Sequence, residues 1–275
     1  SLSRISGLAA VLLAAVAGTP LVSPLQAQAA TPLPFETDFE AGEGYSVGPL
    51  TTDPVWSIGS GLDASIFAPG AGSDQALQFT GADLLSIAFV SSGAPVSWVD
   101  YYAKPEFGAL ADLPGSFAPA RAVATGFVLT DEFAGLGEVY AVDGDGLGGG
   151  IWQGSGLAHP LSGSFANDWI RLTYRLDYSS KTWDLFVDSQ LVLADLGFID
   201  NSFTGLSGFF FDGLAAAPTQ LDYFYGGDAN PLFTDTANDG LPDDWLIAHG
   251  FDHTVSQRYA DADADGLTNL QEFIH

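Results

Sequence analysis

The stretch Asn167-Asp-Trp-Ile-Arg-Leu-Thr-Tyr-Arg-Leu-Asp-Tyr-Ser-Ser-Lys-Thr-Trp-Asp-Leu-Phe-Val-Asp188 reads as two β-strands joined by a short polar turn. Ile170, Leu172, Tyr174 and Leu176 alternate strictly with Arg171, Thr173, Arg175 and Asp177. That period of two belongs to a strand with one face buried and the other polar. Beyond the turn, Trp183, Leu185 and Val187 face one way while Asp184 and Asp188 face the other. Asp188-Ser-Gln190 then turns the chain into Leu191-Val-Leu193. The same signature recurs on both sides. It predicts strands at Ala76–Phe79, Leu84–Val90, Val96–Tyr102, Val123–Thr130, Glu138–Val142, Gly150–Gln153, Leu206–Phe211 and Gln220–Tyr225, separated by Gly, Asp, Asn and Ser. Helical periodicity is absent before residue 240. About 190 residues of this kind suffice for one domain with an ample core, so the expected fold is all-β, an antiparallel sandwich of the jelly-roll type.

Past the last strand the composition changes. Asp261-Ala-Asp-Ala-Asp-Gly-Leu-Thr-Asn-Leu-Gln-Glu272 has the spacing of a calcium loop. Such a loop places oxygens at positions 1, 3, 5, 7, 9 and 12, with Gly at 6 for the sharp turn. Asp261, Asp263 and Asp265 supply three carboxylates, Leu267 a backbone carbonyl and Asn269 an amide, while Glu272 is placed for bidentate closure. An earlier loop is poorer. Counting from Asp235, Asp239, Gly240, Leu241 and Asp243 fall at positions 5, 6, 7 and 9, but Ala237 and Leu246 occupy positions 3 and 12. Two carboxylates are therefore missing, and this loop is expected to bind Ca²⁺ poorly. Between the loops, Asp243 to His249 predict a short helix, with Pro242 before its first turn and Gly250 past its end.

Ten of the acids lie between Asp228 and Glu272, opposed by Arg258 alone. Such a segment repels itself unless cations neutralise it, which agrees with a calcium site. Its few apolar residues, such as Leu241, Trp245, Leu246, Leu270 and Phe273, suggest that it needs bound metal to order, while the β domain folds on its own core. The net charge of −27 excludes nucleic acid as a partner, because phosphate contacts need Lys and Arg.

Residues 1–30 read as a secretory leader. Arg4 marks its basic start, Leu8 to Val16 its apolar stretch, and Ala27-Gln28-Ala29 its cleavage site. The apolar run is too short to span a bilayer, so no membrane insertion of the mature chain is expected. With no cysteine, an exported chain has no disulfide framework. The organisation expected is a leader at 1–30, a β domain at 31–227 and an aspartate-rich calcium segment with short helices at 228–275. The segment is read as continuing into a C-terminal remainder of a longer protein.

The tail, through Asp239-Gly-Leu-Pro-Asp-Asp-Trp245 and Asp261 to Phe273, resembles the calcium repeats of the thrombospondin type 3 and dockerin kind in bacterial secreted proteins. The β domain resembles the concanavalin A-like and laminin-G-like jelly rolls. Phe35-Glu-Thr-Asp-Phe-Glu-Ala-Gly-Glu-Gly-Tyr45 carries part of that likeness and the Asn167–Asp188 hairpin most of it. The resemblance implies a fold shared by carbohydrate binders, adhesive modules and some polysaccharide-cleaving enzymes, and it does not choose among them.

Glu36-Thr-Asp38-Phe-Glu40 has the E-x-D-x-E shape of a jelly-roll glucanase site. On a regular strand its end residues would lie about 13 Å apart, against the roughly 5–5.5 Å of a retaining carboxylate pair. An edge strand with a polar face is the expectation. Asp143-Gly-Asp145-Gly-Leu-Gly-Gly-Gly150 reads as a turn, since it lacks the further ligands a cation needs. His159, His249, His253 and His275 stand at no metal spacing. Trp98, Tyr101, Tyr102 and Trp152 are candidates for a platform on which sugar rings stack, with burial in the core as the commoner role of strand aromatics. The function expected is a secreted or cell-surface module that binds carbohydrate or mediates adhesion, with a Ca²⁺-stabilised connector and no catalysis. The alternatives are a polysaccharide-active hydrolase or lyase using Glu36 and Glu40, and a structural spacer without a ligand.

Overall fold

The computed structural model describes residues 12–17, 29–68, 75–81, 83–104, 122–131, 136–160, 169–213 and 219–274. The hairpin forms as its alternation requires. Leu172 pairs with Val187, Tyr174 with Leu185 and Leu176 with Trp183, so the apolar residues of both strands share one face. Strand Val96–Lys104 adds on the other side, with Tyr101 opposite Leu172 and Val99 opposite Tyr174. Cross-strand pairs of this kind are the unit of sheet stability. Tyr174 stacks on Trp183 at 5.4 Å, and its hydroxyl meets that of Tyr101 at 3.0 Å.

Two large sheets, antiparallel but for one short parallel pair, build a sandwich. The first runs in the order Gln190–Gly197, Thr182–Val187, Ile170–Asp177, Val96–Lys104, Thr219–Gly227, Ala76–Thr80, Asp63–Phe67 and Gly48–Pro49, with Phe35–Thr37 paired to Thr219–Gly227. The second runs in the order Gly150–Pro160, Leu136–Gly144, Ala122–Asp131, Leu12–Ala17, Gly208–Gly213, Asp83–Val90 and Thr31–Pro32, with Ser57–Ile58 paired to Asp83–Val90. Between them lies one core, rich in rings from Trp56, Phe79, Tyr101, Tyr174, Trp183, Phe209, Phe211 and Phe224. The all-β sandwich expected from the alternation is what forms.

Leu12–Ala17, read from sequence as part of the leader's apolar stretch, lies as a strand between Ala122–Asp131 and Gly208–Gly213. An uncharged run of small and branched residues fits a central strand position. The remainder of the stretch and the Ala27-Gln28-Ala29 site lie mostly or wholly outside the described residues. Among the described residues no helix is long and apolar enough to cross a membrane, and both α-helices belong to the tail.

The tail does not stand apart. Leu241, Leu246 and Leu270 share a second apolar cluster with Val96, Trp98, Phe186 and Leu191, on the outer face of the first sheet. That face reads as polar and wet in the sequence, yet Asp100, Thr173 and Asp184 are fully buried and Arg175 nearly so. The tail, expected to fold apart from the β domain, thus packs on the outer face of its sheet through this second cluster, distinct from the core between the sheets. Alternation reports which face is polar, not what covers it.

Candidate metal centre

The first helix of the tail runs from Asp243 to Ala248, preceded by Pro242 and ended by His249 and Gly250, the latter at φ +79°. A left-handed glycine just past a helix end lets the chain turn away without a Cβ clash. The second spans Asn269–Ile274. Thr268 and Gln271 close its N-terminus reciprocally, the Thr268 N–H donating to Gln271 Oε1 at 2.8 Å and the Gln271 N–H to Thr268 Oγ1 at 3.4 Å. This capping box was present in the sequence as T-x-x-Q and fixes the entry of the helix that follows the acidic loop.

Within that loop, Asp261, Asp263 and Asp265 are brought together. Each offers a carboxylate oxygen, and the three atoms lie within 4.8 Å of one another. Gly266 takes φ +99°, and its N–H donates to Asp261 Oδ2 at 3.1 Å. The Leu267 N–H donates to Asp265 Oδ1 at 2.8 Å, folding the loop around its own acids. Three exposed carboxylates so close repel one another unless a cation sits between them. Glu272, expected to close the site, stands outside the cluster of three.

Asn269, the expected ninth-position ligand, is fully buried. Its Nδ2 donates to the Gln257 carbonyl at 3.0 Å, whereas its Oδ1 has no partner among the described residues. A buried amide oxygen without a donor costs free energy. A cation, or its bound water, is the kind of partner that position takes in a calcium loop. The donor set is all oxygen, which suits a hard divalent ion, so the residues present fit Ca²⁺.

The first loop is closed by hydrogen bonds of its own. Asp235 accepts the N–H groups of Asp239 at 3.0 Å and Gly240 at 2.9 Å, and burial pushes its carboxyl above the usual range. Asp239 accepts the Leu241 N–H at 3.0 Å and the Gln257 N–H at 2.7 Å. Asp243 accepts both the N–H and hydroxyl of Thr236, at 2.8 and 2.6 Å. The acids expected to bind calcium poorly thus accept backbone and hydroxyl donors, and among the described residues they do not converge as Asp261, Asp263 and Asp265 do. The Asp239–Gln257 bond ties one loop to the segment preceding the other.

Sequence reasoning missed the anchor between tail and sheet. Arg258 Nη2 reaches Asp184 Oδ1 at 2.6 Å and Asp195 Oδ1 at 2.9 Å, while its Nη1 donates to the Asp239 carbonyl at 2.9 Å. Arg175 Nη2 donates to the Asn238 carbonyl at 2.8 Å, and Trp98 Nε1 to Asn238 Oδ1 at 3.0 Å. The signal available was the isolation of Arg258 among acids.

The other candidates fare unequally. Trp98 and Tyr101 are fully buried, Trp98 beneath the tail and Tyr101 in the sandwich core, so neither is a platform for sugar rings. Trp152 is half-buried against Val142, Ile199 and Phe210. Tyr102 is half-buried, with the Arg171 guanidinium 5.5 Å from its ring centre. The E-x-D-x-E strand ends at Thr37, because Phe39 adopts φ +60°. Glu40 leaves the strand and accepts the Gln75 N–H at 2.6 Å, so Glu36, Asp38 and Glu40 do not line one face. Asp145 accepts the N–H groups of Leu147 and Gly149 at 2.8 and 2.9 Å, making the glycine-rich stretch the turn expected of it.

No family model matches this sequence, and no curated protein matches it. Among solved structures the chain is similar to a sialidase, at 8% identity and a TM-score of 0.44, covering 81% of this chain and 20% of that one. It is also similar to an alginate lyase from Pseudomonas aeruginosa, at 7% identity and a TM-score of 0.37, covering 64% of this chain and 87% of that one. A third likeness is to a domain of an extracellular arabinanase from Geobacillus stearothermophilus bound to arabinotriose, at 14% identity and a TM-score of 0.35, covering 61% and 77%. With TM-scores below 0.5, none of them assigns the chain a function or a family.

Proposed function

We propose that this chain is an exported attachment module that binds carbohydrate without cleaving it, and that its tail is a calcium-stabilised connector. The observation that carries the reading is the cluster of Asp261, Asp263 and Asp265 on a segment docked against the sheet. A site of this kind is filled wherever calcium is abundant, as it is outside cells, and its affinity there need only reach about 10⁻⁴ M. A cysteine-free, strongly acidic chain with a leader-like start is consistent with that setting. The absence of catalysis is supported by the fate of Glu36 and Glu40, which the end of the strand at Thr37 and the Glu40–Gln75 bond keep apart from a shared face.

Two measurements test the reading. Glycan-array binding is expected with no release of reducing sugar or unsaturated product from β-glucans or alginate. Turnover that disappears in Glu36→Gln would overturn it in favour of a hydrolase or lyase, and silence in both assays would favour a spacer. Export is tested by N-terminal sequencing of the secreted chain, expected to begin near Ala30. Cleavage there removes Leu12–Ala17, so the flanking strands, two sheet spacings or about 9.6 Å apart, must close on each other. A secreted chain that retains Leu12–Ala17 would overturn the leader.

A further inference from the structure

We propose that the cavity where the last strand of the sandwich runs into the tail is the carbohydrate site, and that it takes a neutral sugar residue. The inference rests on the glycan-binding reading above and gives it a place and a ligand class. The cavity measures about 330 Å³ and is lined by Asp228, Asn230, Phe233, Asp235, Thr236 and Asn238, among others. That volume is at the lower end of small-ligand sites, suited to one or two sugar rings.

Its walls are held in place before any ligand arrives. Asp228 Oδ1 accepts the Ser97 hydroxyl at 3.1 Å, and Asn238 Oδ1 accepts the indole N–H of the buried Trp98 at 3.0 Å. Asn230 Oδ1 accepts the N–H groups of Leu232 and Phe233 at 2.9 and 3.4 Å, fixing the turn that carries the aromatic ring. Phe233 in turn packs on Phe186 of the sheet, ring centres 6.1 Å apart. Among the described residues, these bonds leave the second oxygen of Asp228 as an acceptor and the amide nitrogens of Asn230 and Asn238, each with one long contact, as donors. A hydroxyl both donates and accepts, so a mixed set of this kind suits a polyol better than a purely anionic or cationic group. Phe233 offers the apolar surface on which a sugar's C–H face rests.

Charge narrows the class. The lining holds two carboxylates and no basic residue, in a chain of net charge −27, so uronic and sialic acids are repelled. A divalent cation is also a poor fit. The lining offers two carboxylates, Asp228 and Asp235, which belong to no converging group of three such ligands among the described residues, fewer than the loop at Asp261 supplies.

The test is titration calorimetry on the calcium-loaded chain with neutral cello- and xylo-oligosaccharides, and in parallel with oligogalacturonate. Phe233→Ala and Asp228→Asn are compared with the wild type, with calcium stoichiometry and melting temperature recorded for each. Neutral oligosaccharides are expected to bind, with affinity falling about tenfold or more in both variants while calcium binding persists. Neutral binding that survives both substitutions would overturn this placement and leave the glycan-binding reading intact. Preference for oligogalacturonate would overturn the ligand class. If none of these oligosaccharides binds and glycan arrays are also silent, both fall.

Discussion

Arg258→Met is expected to destabilise the whole chain by about 3–5 kcal/mol, the range for removing one partner of a buried ion pair. The guanidinium is nearly inaccessible, at 3% side-chain exposure, and Asp184 beneath it is at 1%. With methionine in its place, Asp184 keeps only the 3.4 Å contact to Arg175 and the Asp195 N–H bond at 2.9 Å, and the Asp239 carbonyl loses its donor. The cost is that of a buried carbonyl without its donor and a buried carboxylate left with one long ion pair, not the net worth of the pair. Arg258→Lys is expected to recover only part of the loss, because one ammonium cannot match the fork that spans Asp184, Asp195 and a carbonyl. Urea unfolding monitored by Trp fluorescence measures the effect, and the double variant with Asp184→Asn tests its origin. If removing Asp184 as well restores most of the stability, the orphaned charge is the cause. A loss below about 1 kcal/mol for Arg258→Met would mean the tail is held like a surface pair, and the anchoring role would be abandoned.

How much of this was legible in the sequence differs between local and remote features. The hairpin from Ile170 to Val187 and the helix from Asp243 to Ala248 were read almost to the residue, since alternation, a preceding proline and a trailing glycine are all local signals. The short strands Gly48–Pro49 and Ser57–Ile58 were not, because two residues carry no period. Trp98 and Tyr101 stand three residues apart on one strand, and that odd separation puts them on opposite faces, one under the tail and one in the core. A reader of the sequence sees both as strand aromatics and cannot see that each face has a cover. The same blindness hid the anchor. Arg175 and Asp184 were correctly placed on the polar face, yet nothing within Ile170–Asp188 states that residues 63 and 74 positions later lie over it. The three aspartates of the metal loop were legible because five residues of spacing determine their geometry. The first loop's acids were not fully so, since Asp239 finds its partner at Gln257, in the next loop's approach.

Calcium is expected to bind once, at Asp261, Asp263 and Asp265, and its removal is expected to lower the stability of the sandwich together with the tail. The number of sites follows from what each acid already does. In the second loop the three carboxylates converge and a buried Asn269 oxygen waits without a donor. In the first, Ala237 and Leu246 stand at positions 3 and 12, and Asp235, Asp239 and Asp243 form no such cluster among the described residues, so too little carboxylate charge gathers to offset the ion's dehydration. Asp263→Ala should therefore abolish the heat of binding, while Asp239→Ala should preserve it and lower stability by about 1–3 kcal/mol, through the buried Leu241 and part-buried Gln257 N–H groups it leaves unmatched. Transmission to the sandwich follows from connectivity. Ala260 accepts the Asn269 N–H at 2.8 Å and Arg258 the Leu270 N–H at 3.0 Å, so the loop is strung across the anchor that enters the sheet. At a calcium concentration a hundred times its dissociation constant, the gain is about 2.7 kcal/mol. Because tail and sheet share Trp98, Phe186, Leu241 and Leu246 in one apolar cluster, that gain should appear in a single unfolding transition, shifted down as a whole by a chelator. Calorimetric scans with and without chelator decide between the possibilities. Two separated transitions, with only the smaller one moved by chelation, would return the tail to an independent module, and equal calcium affinity in Asp263→Ala and the wild type would remove the metal site itself.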